Sequence, residues 1–120
     1  MANNQVVGQA RVKIDGALLE TDGQTKLEIG GPKREPVMGD YQAGNFREST
    51  EASKVEVSVL YKDQTDLAGY RGVTDATITI EYDTGKVWVV RGGYYADVAS
   101  INQQDGKASL VFMGQPAESL

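Results

Sequence analysis

The tripeptide Asp83-Thr84-Gly85 is the one place in this chain where residue types and spacing suggest catalysis. Asp-Thr-Gly is the signature of aspartic proteases, in which two such carboxylates share a proton and activate a water molecule. Here Tyr82 ends one alternating segment and Lys86 begins the next, and a tight turn between them requires Asp and Gly. The adjacent lysine would also hold the carboxylate ionised and oppose proton sharing. We interpret the tripeptide as a turn and keep a small Asp-Thr-Gly protease as the weaker alternative.

Other catalytic and ligand-binding patterns fail at specific positions. The pairs Gly85-Lys86 and Gly106-Lys107 lack the earlier glycine and the following Ser or Thr of a phosphate-binding loop. Residues 63–67 begin like a calcium loop but lack its central glycine and final glutamate. The chain has no His and no Cys, which removes imidazole catalysis, thiolate nucleophiles, disulfides and the usual zinc sites. We therefore predict no enzymatic activity, no catalytic residue, no cofactor and no metal site.

Composition places the chain among ordinary globular proteins. It has 120 residues, of which 40% are hydrophobic and 24% charged, which suits one domain with its own core. The net charge of −5 gives an acidic surface that repels phosphate backbones and disfavours tight nucleic-acid binding. The longest aliphatic or aromatic run, residues 87–90, is far too short for membrane insertion. No secretory signal is visible at the N-terminus, so we expect folding in the cytoplasm.

Alternation of apolar and polar residues predicts a mainly β domain of antiparallel strands. Asp15-Gly16 and Asp105-Gly106 supply the residues of tight hairpin turns. One short flanking α-helix is expected at about residues 65–71, with Leu67 and Tyr70 on its buried face. The predicted strands cover residues 10–14, 17–20, 26–29, 54–61, 76–82, 86–91, 94–101 and 107–113.

Residues 30–53 lack this alternation of apolar and polar residues and are expected to form a long loop. They contain glycines, prolines and charges with no period, and isolated large side chains at Met38, Tyr41 and Phe46. A loop of this length in a compact domain usually has a function or is disordered. The sequence leaves open whether Tyr41 and Phe46 fold back onto the core or anchor an interface. We predict contacts with neighbouring copies of the chain through Lys33, Arg34, Glu35, Met38, Tyr41, Phe46 and Arg47.

Several segments, taken in order, resemble the tail tube proteins of Mu-like contractile-tailed bacteriophages. They are residues 10–16 (ARVKIDG), 30–37 (GGPKREPV), 63–68 (DQTDLA) and 80–86 (IEYDTGK), and the ending at 114–118 (GQPAE) also fits. The resemblance spans nearly the whole chain and is weakest over residues 39–53. It implies a β-barrel or sandwich with one flanking helix, in a single tail-tube-like domain over residues 1–120.

The resemblance also implies a function. Such proteins assemble into hexameric rings that stack into a hollow tube, which conducts the genome from capsid to host. The implied partners are the tail sheath, the baseplate hub and the tape measure protein, while DNA passes without specific binding. The implied location is the virion tail, assembled in the host bacterial cytoplasm. Beside the Asp-Thr-Gly protease, two further alternatives remain: a ring-forming tube of a type VI-like secretion system, and a small ligand-binding module using Trp88, Tyr94 and Tyr95.

Strand alternation predicts which residues would line such a tube. A sheet can pack its apolar face into the core while its polar face borders water. Six copies would carry about −30 formal charges, six times the −5 of one chain, and a like-charged wall lets DNA pass without sticking. The predicted lumen-facing residues are Glu56, Ser58, Thr77, Thr79 and Glu81.

Overall fold

A computed structural model describes residues 4–62 and 67–120. The described residues form ten strands and one short helix, which confirms the predicted mainly β fold. The strands are β1 (Ala10–Ile14), β2 (Ala17–Leu19), β3 (Lys26–Glu28), β4 (Gly31–Gly39), β5 (Gln42–Glu51), β6 (Ser53–Leu60), β7 (Ala76–Tyr82), β8 (Val87–Asn102), β9 (Lys107–Gly114) and β10 (Glu118–Ser119).

The short helix α1 (Leu67–Tyr70) packs against the sheet. Leu67 and Tyr70 are both partly buried against the core, which confirms the predicted buried face. The first two residues of the predicted helix, 65 and 66, lie outside the described residues.

Eight strands form one antiparallel sheet that closes on itself. The hydrogen-bonded order is β2-β1-β7-β8-β9-β6-β3, with β10 added to β8. After β2 the chain crosses to β6, where Thr21 forms a bridge with Val59. On either side of this bridge the Asp22 amide donates to the Ser58 carbonyl and the Leu60 amide to the Glu20 carbonyl, each at 3.0 Å. The sheet is therefore a small barrel whose seam lies between β2 and β6.

The barrel interior is filled by the apolar members of the alternating strands. Phe112 lies at its centre, fully buried, with the rings of Tyr70 and Tyr95 packed edge-on at centroid distances of 6.4 and 6.1 Å. Other core side chains come from strands on every side of the barrel, so no single hairpin could bury them. They include Val12, Ile14, Val55, Val57, Val59, Ile78, Ile80, Val90 and Leu110.

β8 is one bent strand where the sequence pattern predicted two. Its first half pairs with β7 and its second half with β9, so it carries the sheet around one corner of the barrel. Gly92 has φ = 62° at this corner, and the register with β7 shifts there, as a β-bulge requires. Two further register shifts, between Tyr95 and Ser100, explain why alternation fades in this part of the sequence.

The prediction of a long loop over residues 30–53 is wrong. This segment contains β4 and β5, which pair with each other as a separate two-stranded antiparallel sheet, and Ser53 begins β6. The chain reverses at Asp40 and Tyr41, where Tyr41 takes a φ of 63°. Alternation appears in a sequence only where a strand buries one of its faces. These two strands bury neither face, so their sequence carries no period.

Candidate self-assembly surface

The hairpin of residues 31–51, hereafter the arm, projects away from the barrel. Every residue in it is exposed except Gly31 at its root. The molecule extends 62 × 38 × 28 Å and has a radius of gyration of 17.4 Å. A compact chain of this length would have a radius of gyration of about 14 Å. The arm therefore makes the molecule markedly longer than a globular domain of the same mass.

The root of the arm is fixed to the barrel by backbone geometry. Gly30 has φ = 70°, and a Cβ there would lie 2.7 Å from the Glu51 carbonyl oxygen, so only glycine fits. On the returning strand, Ser53 is fully buried and its hydroxyl donates to the Gln115 carbonyl at 2.7 Å. The two ends of the arm are thus held close together while the strands between them extend into solvent.

The charged residues predicted to contact other chains pair with each other across the arm. Arg34 and Glu48 are directly opposite, with Nη2 and Oε1 3.0 Å apart, and the Arg34 guanidinium lies 5.6 Å from the centre of the Phe46 ring. On the other face, Arg47 and Glu35 are opposite at 3.6 Å. Exposed ion pairs of this kind contribute at most about 1 kcal/mol each to folding stability, so they are a minor source of stability for the arm.

The end of the arm carries large apolar side chains without a covering layer. Tyr41 is fully exposed, Met38 is 68% exposed and Phe46 is 61% exposed. Val37 is also largely exposed, and we call these four residues the apolar tip. The question left open by the sequence is thereby answered for this structure, because Tyr41 and Phe46 do not fold back onto the core. An exposed apolar cluster on a projecting hairpin is typical of an interaction surface.

The five residues predicted to face a lumen fall into two groups on opposite sides of the barrel. Glu56 and Ser58 lie on β6, whereas Thr77, Thr79 and Glu81 lie on β7. Around the closed sheet, β8 and β9 separate these strands on one side, and β1 and β2 separate them on the other. Their outward side chains therefore point in opposite directions, and a single channel can border one group but not both.

Both outer faces are polar and carry ion pairs. On the β7 side, Lys13 Nζ lies 3.1 Å from Glu81 Oε2. On the β6 side, Lys54 Nζ lies 3.2 Å from Glu56 Oε1, and this hydrogen bond raises the pKa of the Lys54 ammonium. Either face can therefore border water.

Asp83-Thr84-Gly85 forms the turn between β7 and β8. The Tyr82 amide donates to the Lys86 carbonyl at 2.9 Å, and Gly85 takes a φ of 94°. The Asp83 carboxylate accepts the amide of Gly8 at 3.2 Å. This carboxylate thus ties the N-terminal segment to the turn, which supports the turn interpretation over a protease.

The aromatic residues considered for ligand binding do not share a surface. Trp88 is paired with Ile80 on the core side of the sheet, and Tyr95 packs on Phe112. Tyr94 follows on the opposite face of β8 and is 40% exposed. Within residues 4–62 and 67–120, no cluster of acidic side chains is arranged to hold a metal ion. No helix in the same residues is long and apolar enough to cross a membrane.

Solved structures similar to this fold include chains of contractile injection systems. The chain aligns with the tube terminating cap of the anti-feeding prophage at a TM-score of 0.72 and 10% identity, covering 100% of this chain and 94% of the other. It also aligns with a chain of the extended PVC sheath-tube complex of an extracellular contractile injection system, at a TM-score of 0.69 and 12% identity. That alignment covers 98% of this chain and 92% of the other. At these identities the likeness concerns the fold.

Sequence comparisons give the family. The chain is 31% identical over 106 residues to the Mu-like prophage FluMu tail tube protein of Haemophilus influenzae, which covers 88% of each chain. It is 27% identical over 120 residues to the tail tube protein of Escherichia phage Mu, which covers 100% of this chain and 99% of that protein. The family model described as phage tail tube protein matches residues 3–119. The chain therefore belongs to the phage tail tube protein family, as its resemblance to the Mu-like members predicted.

Proposed function

We propose that this chain builds the inner tube of a contractile phage tail by assembling into hexameric rings that stack, and that the tube conducts DNA during ejection. Family membership supports a structural role in the virion tail, without catalysis. Under this proposal the residues predicted at interfaces between subunits or rings are those of the arm. The sheath contacts the outside of the tube, and the baseplate hub and tape measure protein contact its end and its lumen.

The exposed apolar tip is the observation that carries the proposal. A two-stranded hairpin is at best marginally stable alone in water. This arm places Met38, Tyr41 and Phe46 in solvent at its far end, where the barrel of the same molecule does not cover them. Burying a large apolar side chain contributes about 1.5–3 kcal/mol, so docking of the tip on a neighbouring copy would drive assembly.

A conduit for DNA also needs a wall that can border water, and the polar outer faces of the barrel provide such a wall. One face of the barrel borders the lumen and the opposite face is turned toward the sheath, so either the β6 group or the β7 group is the lumen-facing set. The chain is acidic overall, with a net charge of −5, and the lumen wall need not bind DNA. Like charges keep the nucleic acid in solution as it moves.

Deletion of residues 32–48 tests the proposal. The deletion joins Gly31 to Ser49 and leaves Ser49 and Thr50 to form a short turn, while the barrel and its core are unchanged. We expect a folded monomer that does not polymerise, measured by light scattering and negative-stain electron microscopy over a concentration series. Wild-type protein should form hollow tubes with six-fold symmetry under the same conditions. Tubes of normal diameter from the deletion variant would contradict the assigned role of the arm.

A further inference from the structure

The two prolines of β4 determine which backbone groups of the arm pair within the hairpin. Pro32 and Pro36 are in register with Thr50 and Phe46, although neither proline has an N–H to donate. The ladder therefore runs through the odd-numbered residues of β4, which exchange hydrogen bonds with the odd-numbered residues of β5. The backbone groups of even-numbered residues point away from the hairpin on both strands.

The two outer edges of the arm consequently differ. Along β4, the outward positions Pro32 and Pro36 lack donors, and of the three even positions from 32 to 36 only Arg34 offers an N–H. Along β5, the outward N–H and C=O groups of Phe46, Glu48 and Thr50 form an uninterrupted row. Prolines on an edge strand prevent another strand from adding to it, and an exposed edge without them invites addition.

We infer that the outer edge of β5 adds an extended segment of a second copy of this chain, so that the arm joins subunits by strand addition as well as through its apolar tip. This inference rests on the proposed self-assembly. A second copy is the partner because the chain belongs to a tube-forming family and the arm extends beyond the reach of its own barrel. Charge agrees with this choice. The chain carries −5, but the arm has three basic and four acidic side chains, so it approaches another acidic copy without strong repulsion.

The Arg34–Glu48 pair allows a matched test. Glu48→Pro and Arg34→Pro each remove the same ion pair and each place a proline at an outward backbone position. They differ in which edge loses its donor, and Arg34→Pro additionally removes the guanidinium that lies 5.6 Å from the centre of the Phe46 ring. We expect Glu48→Pro to raise the critical concentration for tube assembly at least about tenfold, the effect of losing one buried hydrogen bond. Arg34→Ala loses the same side chain but keeps its N–H, so Arg34→Pro should assemble within about twofold of Arg34→Ala, and both proline variants should keep the wild-type melting temperature.

Hydrogen exchange in wild-type tubes provides a second measurement. The amides of Phe46, Glu48 and Thr50 should exchange freely in the monomer and slowly in tubes, whereas the Arg34 amide should remain unprotected. Equal assembly of both proline variants, equal loss of assembly in both, or unprotected β5 amides in tubes would overturn the inference. If deletion of residues 32–48 prevents tubes while Glu48→Pro does not, the edge inference alone fails. If the deletion variant forms normal tubes, the proposed role of the arm fails as well.

Discussion

Gly93 and Gly114 lie against each other at the corner where β8 passes from β7 to β9. A Cβ on Gly114 would stand 3.2 Å from the Cα of Gly93, 3.0 Å from the Arg91 carbonyl oxygen and 2.8 Å from Val90 Cγ1. Backbone atoms account for two of these three contacts, so a side-chain rotation cannot relieve them. This close approach of β8 and β9 lets β8 pass the corner as one continuous strand that pairs first with β7 and then with β9.

Substitution at this corner should therefore destabilise the monomer. We expect Gly114→Ala to lower the free energy of unfolding by about 1–3 kcal/mol through overpacking. Gly44→Ala in the arm is the control, since open space surrounds its Cβ position and its φ is not positive. Urea unfolding followed by Trp88 fluorescence measures both variants. Equal stability of Gly114→Ala and wild type would show that the corner relaxes more easily than the geometry indicates.

The two phenylalanines of the chain should respond oppositely to truncation. Phe112→Ala opens a cavity in the barrel core and should cost about 3–5 kcal/mol of unfolding free energy. Phe46→Ala removes an exposed ring and should change monomer stability by no more than about 0.5 kcal/mol. Phe46→Ala should nevertheless weaken polymerisation. Denaturant titration and light scattering separate the effects, and unimpaired assembly of Phe46→Ala would remove the ring from the interface.

The seam of the barrel should weaken on acidification. The Asp22 side chain is only 4% exposed, accepts the Gln24 amide at 3.0 Å and lies 3.1 Å from Lys107 Nζ. Burial alone would raise the pKa of this carboxyl, but the hydrogen bonds from Lys107, Gln24 and Ser58 outweigh burial and lower it. The ionised Asp22 carboxylate therefore stabilises the folded state fully above the unfolded pKa of about 3.9. This stabilisation is lost as the pH falls through the lower pKa of the folded state.

Asp22→Asn tests this assignment. The variant should have a lower urea midpoint than wild type at pH 7, and the difference should shrink at pH values below 4. Asp40→Asn in the exposed arm turn is the control and should leave the midpoint unchanged at pH 7. A pH-independent difference for Asp22→Asn would mean that the seam depends on side-chain shape and not on the carboxylate charge.

Single cysteines test which group faces the lumen of the proposed tube. The chain has no Cys, so Ser58→Cys on β6 and Thr79→Cys on β7 can each be labelled without background. In assembled tubes, a bulky maleimide that cannot enter the lumen should react at one of the two positions only. A small maleimide is the control that shows which of the two positions remain accessible to any reagent. The monomer should react at both positions with either reagent. Protection of both positions from the bulky reagent alone would contradict the opposite placement of the two groups.

The sequence by itself predicted the strands that bury one face. In β6, apolar Val55, Val57 and Val59 alternate with polar residues because one side of the sheet faces the core and the other faces solvent. The same alternation occurs in β7. It also predicted the hairpin turn at Asp15 and Gly16, which both take positive φ, and the turn at Asp83-Thr84-Gly85. These features depend on neighbours in the chain or on a single buried face, so local residue types suffice to determine them.

Only the tertiary structure decided the form of the arm and the placement of the polar residues. β4 and β5 bury neither face, so no periodic signal marks them, and their pairing follows from hydrogen bonds between residues as far apart as Gly31 and Glu51. The separation of Ser58 from Thr79 follows from barrel closure at Thr21 and Val59. Alternation indicates which side of a strand faces solvent. The direction in which that side points depends on pairing between distant strands, and no local sequence pattern contains this information.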